Sequence, residues 1–173
     1  MKKVLSLLVA LMLVFSLVAC GEEEVADEKV EVLLFLHGNL GDLSFFDSAE
    51  RGMDMIRDTY GDQVNVKTLE VGNDETKWEP ALLDEADKGY DMIILGTWQM
   101  GQYVQQFAPD YPDTTFVLFD QSIDYSAGDF PNTYGLLFSQ NEGSFLVGAL
   151  AARKTETGTI GFLGGMAGPV IND

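Results

Sequence analysis

The chain has 173 residues, with 10 Lys or Arg against 28 Asp or Glu, and its formal net charge is −18 at pH 7. Such an acidic surface repels phosphate backbones, so nucleic acid is a poor partner. A single cysteine and a single histidine exclude an intramolecular disulfide, a cysteine-based zinc cluster and an iron–sulfur centre, and they leave little room for a metal enzyme.

The first 19 residues have the pattern of a removable secretory leader. Lys2 and Lys3 precede an apolar run over residues 4–18, which is too short for a membrane span of about 20 residues but suits the core of a signal peptide. Ala19 stands directly before Cys20, as in the lipobox of bacterial lipoproteins, where the cysteine is lipidated and becomes the new N-terminus. We therefore predict a signal peptide over 1–19 and a lipid anchor at Cys20, on the extracytoplasmic face of the cell membrane. The alternative is an ordinary signal peptide with an incidental cysteine.

The segment 20–31 is strongly acidic, with six Asp or Glu against one lysine. This composition predicts a solvated tether whose like charges keep it extended. The alternative is an acidic calcium site, but the segment lacks the spaced oxygen ligands and the turn glycine of a calcium loop.

From residue 30 onward, short apolar runs alternate with amphipathic segments. The short runs predict strands, and apolar residues at helical spacing predict helices. The predicted strands cover residues 30–36, 64–69, 92–95, 115–119, 132–138 and 159–163. The predicted helices cover residues 49–60 (capped by Ser48), 76–88, 99–108 and 142–153, and Pro169 opens a further one. This alternation predicts an α/β fold with a doubly wound parallel sheet. Because the sequence stops just after that helix start, we expect it to be a fragment of a longer chain.

Ligands of doubly wound folds bind beyond the carboxyl ends of the strands. This rule selects the loops at residues 37–47, 96–98, 120–122 and 164–168. Aromatic rings with a few directional polar groups are typical of a small-molecule pocket rather than of a catalytic centre. The candidate ligand-binding residues are Asn39, Asp42, Phe45, Phe46, Asp47, Trp98 and Asp120. Two alternatives stay open: the two phenylalanines could instead plug the loop, and Asp120 could cap a following turn.

An enzyme is the main rival class. A strand that ends Leu36-His37-Gly38 resembles the oxyanion loop of α/β-hydrolases, but the sequence has no G-x-S-x-G nucleophile elbow and no second histidine. The glycines of the loop 164–168 follow neither the P-loop nor the G-x-G-x-x-G spacing, so a tight turn explains them better than a nucleotide site does. We therefore predict no catalytic residue, no metal and no cofactor.

The lipobox and the segments 41–47, 89–94, 142–150 and 158–166, followed by Pro169-Val170-Ile171, together resemble the basic membrane protein family of substrate-binding lipoproteins, which includes bacterial purine nucleoside receptors. The resemblance implies a periplasmic-binding-protein-like fold: two α/β lobes joined by a hinge, a ligand in the cleft and delivery to the permease of an ABC importer. It makes residues 32–138 the N-terminal ligand-binding lobe and residues 139–173 the crossover and the start of a second lobe.

Family residues carry over unevenly. The family's stacking phenylalanine falls on Phe45 and its strand-end aspartate on Asp120. The family often has Asp at Leu36 and Asn at Phe46, and both differences remove hydrogen-bonding groups by which a nucleoside site would discriminate. The resemblance thus implies a receptor more firmly than it implies purine specificity, and we expect a nucleoside or another flat heterocycle as the ligand. A sensory or signalling lipoprotein of the same fold, with no transporter, is the alternative.

Overall fold

The structure is a computed structural model that describes residues 29–165 and Ile171. The predicted signal peptide, Cys20, Pro169 and all but the last residues of the predicted tether lie outside this range. Val30 and Glu31, which the predicted tether includes, belong to the first strand. Within the residues described, no helix is long and apolar enough to cross a membrane.

A parallel five-stranded sheet forms the centre of the fold. Its strands are β1 (Val30–Leu36), β2 (Val64–Glu70), β3 (Met92–Gly96), β4 (Thr115–Phe119) and β5 (Thr133–Leu136). Their spatial order is β2-β1-β3-β4-β5, and every neighbouring pair is parallel. The inner strand β1 is covered on both faces, which explains its continuous apolar run. The predicted doubly wound α/β fold is confirmed.

Four α-helices flank the sheet: α1 (Phe45–Tyr60), α2 (Trp78–Ala86), α3 (Trp98–Phe107) and α4 (Gln140–Lys154). α2 and α3 pack on one face, where Leu33, Ile93 and Phe116 belong to the larger core cluster. α1 packs on the other face, where Met53 contacts the core around Leu34. On this second face, the strand register places Leu34, Ile94, Val117 and Tyr134 side by side across the sheet. Among the described residues no helix covers its β5 end, so Tyr134 is 52% exposed.

Most predicted boundaries differ from the observed ones by at most two residues, but two predictions are wrong. α1 begins at Phe45 rather than after Ser48; Ser48 lies inside the helix, and its hydroxyl donates to the Ser44 carbonyl at 2.6 Å. Residues 159–163 form no strand, because a strand needs a hydrogen-bonded neighbour and none of the described strands lies beside this segment. Leu163 is accordingly 96% exposed.

Candidate functional site

The strand order places the candidate loops at one edge of the sheet. The chain leaves β1 toward β2 on one side, and it leaves β3 toward β4 on the other side. The carboxyl ends of β1 and β3 therefore flank the topological switch point, where open α/β sheets bind ligands. β4 is the next strand, and Gly96 in β3 pairs with Phe119 in β4. The predicted loops after β1, β3 and β4 thus meet at this carboxyl edge.

Asp42 organises the loop between β1 and α1. Its carboxylate accepts hydrogen bonds from the backbone N–H groups of Ser44 (2.9 Å), Phe46 (2.9 Å) and Asp47 (3.1 Å). These hydrogen bonds hold the pKa of Asp42 below its usual value, and the bond from Phe46 has the largest effect. They also satisfy amides that the first turn of a helix leaves without a partner, which is why α1 starts earlier than a Ser48 cap would allow.

Asp47 closes the same loop from the other side. Its carboxylate accepts from the N–H of Gly41 at 2.7 Å and from the N–H of Leu43 at 2.9 Å. Leu43 has φ of 51°, a left-handed conformation that is uncommon outside glycine, and it is 92% exposed. Asp42 and Asp47 together engage five backbone amides, so the loop is held by its own carboxylates. Ligand contact by either residue stays a prediction.

Phe45 and Phe46 occupy different places. The Phe46 ring meets the His37 ring edge-on, with centroids 5.4 Å apart, and it fills the space where a Cβ on Gly38 would lie 2.3 Å from Phe46 Cε2. The Phe45 ring lies 5.3 Å from the Phe119 ring and lines a cavity. Phe46 is therefore packed under the loop, as the plug alternative describes, whereas Phe45 lines the cavity. Ligand contact by either ring stays a prediction.

The cavity has a volume of about 500 Å³, which is the size of a small-molecule pocket. At the carboxyl edge its walls are Phe45, Phe119, Phe138 and Gln140, and from there it continues along α1. The remaining wall residues are Leu34, Ser48, Ala49, Gly52, Met53, Ile56 and Ile94. Because the far end is almost entirely apolar, a polar ligand can be oriented only at the carboxyl edge.

Asp120 joins this edge from the end of β4. Its φ is 60°, a left-handed conformation that aspartate tolerates better than most residues. Its carboxylate accepts a hydrogen bond from Gln140 Nε2 at 2.5 Å. Its described partner is thus a side chain of the cavity wall, not the amide of a following turn. Asp120 thus follows Phe119 in the chain and contacts the wall residue Gln140, but it is not among the residues that line the cavity. Its contact with a ligand stays a prediction.

Asn39 and Trp98 lie on the same loops but do not line this cavity. Trp98 is the first residue of α3 and is 40% exposed, and Asn39 is exposed. Their ligand contacts stay predictions. Phe119 and Phe138 were not among the predicted site residues, because both fall inside predicted strands, although the strand-end rule applies to them equally.

His37 links the loops after β1 and β3. It is 6% exposed, its ring also meets the Trp78 ring edge-on at 5.0 Å, and its Nδ1 has no hydrogen-bond partner among the described residues. Burial lowers the pKa of His37 to about 4, against the opposing effect of a hydrogen bond to the Gly96 backbone. His37 is therefore neutral at pH 7. The described part of the chain holds no cluster of three or more His, Cys, Asp or Glu arranged for a metal ion.

Comparisons with known proteins identify the family of the chain and agree with its fold. The family described as ABC transporter substrate-binding protein PnrA-like matches residues 29–173. Basic membrane protein A of Borreliella burgdorferi is 30% identical over 173 residues, which are 99% of this chain and 49% of that protein. An uncharacterized lipoprotein of Pyrococcus furiosus is 32% identical over 169 residues, which are 94% of this chain and 41% of that protein. The solved structure of an ABC transporter solute-binding protein from Aeropyrum pernix superposes with a TM-score of 0.61 and 30% identity, over 71% of this chain and 32% of that one. The chain spans about half the length of the curated relatives it matches.

Proposed function

The chain belongs to the family of PnrA-like ABC transporter substrate-binding proteins, and we propose that it captures a nucleoside, or another flat heterocycle of that size, for an ABC importer. In this proposal the protein is a non-enzymatic, lipid-anchored receptor on the extracytoplasmic face of the cell membrane. Residues 32–138 supply the first ligand-binding lobe, and residues 139–173 begin the second. Ligand binding shifts the two lobes toward a closed form, which the permease recognises.

The observation that carries the proposal is the aromatic end of the cavity at the carboxyl edge. The ring centroids of Phe45 and Phe119 lie 5.3 Å apart there. Gln140, another wall residue, donates a hydrogen bond to the Asp120 carboxylate. A flat ring is held by the aromatic faces, while the carboxylate and the amide orient its polar edge. The candidate site contains no nucleophile paired with a base, and its histidine is buried and neutral, which favours binding over chemistry.

Calorimetry on the leaderless protein tests the ligand class. Purine and pyrimidine nucleosides are titrated against the unmodified protein, Phe45→Ala and Tyr60→Ala. Stacking of a base on an aromatic side chain contributes about 1–3 kcal/mol, so Phe45→Ala should weaken binding by roughly 5- to 150-fold. Tyr60 is the matched control, because it is an exposed aromatic residue at the opposite end of α1. If sugars or amino acids bind and nucleosides do not, the nucleoside assignment is wrong; equal affinities for both variants would remove Phe45 from the site.

The lipid anchor needs a separate test. The lipobox at Cys20 supports it, and so does the lipoprotein name of the Pyrococcus furiosus relative. When the full chain is expressed in a bacterium fed an alkyne-labelled fatty acid, the protein should take up the label and sediment with membranes. Because the sequence has one cysteine, Cys20→Ala should abolish both. A variant that keeps the label would contradict an anchor at this residue.

A further inference from the structure

We infer that Gly96 is a positioning residue of the site: because it has no side chain, the Phe119 ring lies across it and forms the aromatic wall of the cavity together with Phe45. The inference rests on the proposed function, because it concerns the wall against which a flat ligand would stack. It goes beyond that function by giving a role to a residue that acts only through another side chain and was not a predicted site residue.

Gly96 leaves the space that the Phe119 ring occupies. The two residues are register partners in the parallel strands β3 and β4. A Cβ on Gly96 would lie 2.5 to 2.7 Å from the Phe119 ring atoms Cε2, Cδ2 and Cζ, whereas carbon atoms in contact lie about 3.5–4.0 Å apart. Gly96 has no left-handed φ, so the close approach of the ring is a steric reason for a glycine at this position. Any larger residue at position 96 would push the ring away.

The Phe119 ring in turn supports Phe45. The planes of the two rings are tilted by 48° and their centroids lie 5.3 Å apart, a separation that is typical of favourable aromatic pairs. Phe45 is partly exposed, and its other ring contact among the described residues is with Phe46, its neighbour in the same turn of α1. Phe119 is therefore the ring that ties Phe45 to the sheet.

A ring that is fixed before the ligand arrives favours binding. A side chain that becomes ordered only in the complex loses rotamer freedom at that moment, and this loss weakens the affinity. Phe45 is the first residue of α1, so no preceding helical turn restricts its rotamers. The Phe119 ring restricts them from a strand, and strands hold the geometry of a site more precisely than loops do. Displacing Phe119 should therefore weaken ligand binding even where the fold survives.

Calorimetry with adenosine on the leaderless full chain tests the inference, and urea unfolding shows that each variant is folded. Gly96→Ala should weaken binding about fivefold or more, the effect of losing one stacked ring. Phe119→Val should also weaken binding; valine suits a strand and lacks the three ring atoms that the new Cβ would meet. Adding Gly96→Ala to Phe119→Val should change the affinity by less than about twofold, because the ring that it displaces is already absent.

Gly128→Ala is the matched control. A Cβ on Gly128 would lie 2.9 Å from Cζ of Phe130, so this change also displaces an aromatic ring. Phe130 precedes β5 at the opposite edge of the sheet and does not line the cavity. Any effect of Gly128→Ala should therefore appear in the free energy of unfolding and not in the affinity of the folded protein for adenosine.

A second readout does not depend on the ligand. In the NMR spectrum of the free protein, protons of the Phe45 and Phe119 rings should show a nuclear Overhauser effect, which Gly96→Ala should remove and Gly128→Ala should leave in place.

Three results would overturn the inference while the proposed receptor function stands. They are an Overhauser effect that persists in Gly96→Ala, an adenosine affinity that Gly96→Ala leaves unchanged, and a loss of affinity that is equally large with and without the Phe119 ring. If Gly96→Ala does not fold, unchanged adenosine affinity in Phe119→Val overturns the inference. If adenosine and other nucleosides do not bind the unmodified protein, the proposed ligand class is wrong, and the NMR comparison still decides whether Gly96 positions the two rings.

Discussion

Acidification from pH 7.5 to pH 5 should destabilise the fold through His37. Burial lowers the pKa of His37 from 6.5 to about 4, so the unfolded chain takes up the proton first as the pH falls. The stability that the fold owes to neutral His37 is fully present above about pH 6.5, and it is lost progressively as the pH falls to about 4. With these two pKa values, linkage gives a loss of about 2 kcal/mol between pH 7.5 and pH 5.

The assay is urea unfolding of the leaderless, untagged chain at several pH values in this window. The sequence contains one histidine, so the variant His37→Leu removes the one side chain whose ordinary pKa lies near neutral pH. Its unfolding free energy should be lower at pH 7.5, because the contacts with Phe46 and Trp78 change, but it should be nearly flat from pH 7.5 to pH 5.5. Identical slopes in both proteins, or an imidazole that titrates near pH 6.5 in the NMR spectrum of the folded chain, would refute the reasoning.

Four further substitutions test the packing and the loop, each by urea unfolding. Glu85→Gln should cost about 1–3 kcal/mol, because this 5% exposed carboxylate accepts from two lysines and a tyrosine; an unchanged midpoint would show that the ion pairs contribute nothing. Gly38→Ala should cost about 1–3 kcal/mol by displacing the Phe46 ring, whereas Gly52→Ala on α1, where nothing lies within 4 Å of the added Cβ, should stabilise by up to about 1 kcal/mol; the opposite order would contradict the packing described. Asp42→Ala should cost about 1–2 kcal/mol by freeing three amides at the start of α1, and a neutral outcome would mean that water replaces the carboxylate without loss.

The sequence predicted the strands well because burial on both faces leaves a direct signal in composition. Residues 33–36 of β1 are fully buried, and a run of apolar residues of that length is hard to place elsewhere. The segment 159–163 (Thr, Ile, Gly, Phe, Leu) is also mainly apolar yet forms no strand. An apolar composition shows that a segment is suited to strand pairing. The pairing also needs a neighbouring strand, and the sequence of one segment does not show whether that strand is present. Helix α4 likewise lacks a neighbour to pack against: it carries apolar residues all round, and none of its residues is buried within the described structure.

The start of α1 was predicted four residues too late, because two serines compete for the cap position. Helix starts are recognised by a serine, threonine or acidic residue at the cap position itself. Here the cap position is Ser44, whose side chain makes no capping hydrogen bond. Asp42, two residues earlier, accepts the hydrogen bonds from the amides at the start of the helix instead. The reach of Asp42 depends on the left-handed turn at Leu43, which is a three-dimensional property of the loop. Ser44 and Ser48 both match the rule by residue type, so residue type alone did not decide between them.

Phe45 and Phe46 show how neighbouring residues of the same type acquire different roles. Successive residues of a helix are rotated by about 100°, so two adjacent rings in the first turn cannot face the same wall. Phe45 faces Phe119 and the cavity, and Phe46 then necessarily turns toward His37 and the glycine beneath the loop. Where the resembled family often has an asparagine, this chain therefore gains loop packing rather than a second stacking ring. In the proposed receptor, the ligand contacts expected of this lobe are therefore those of Phe45, Phe119 and Asp120.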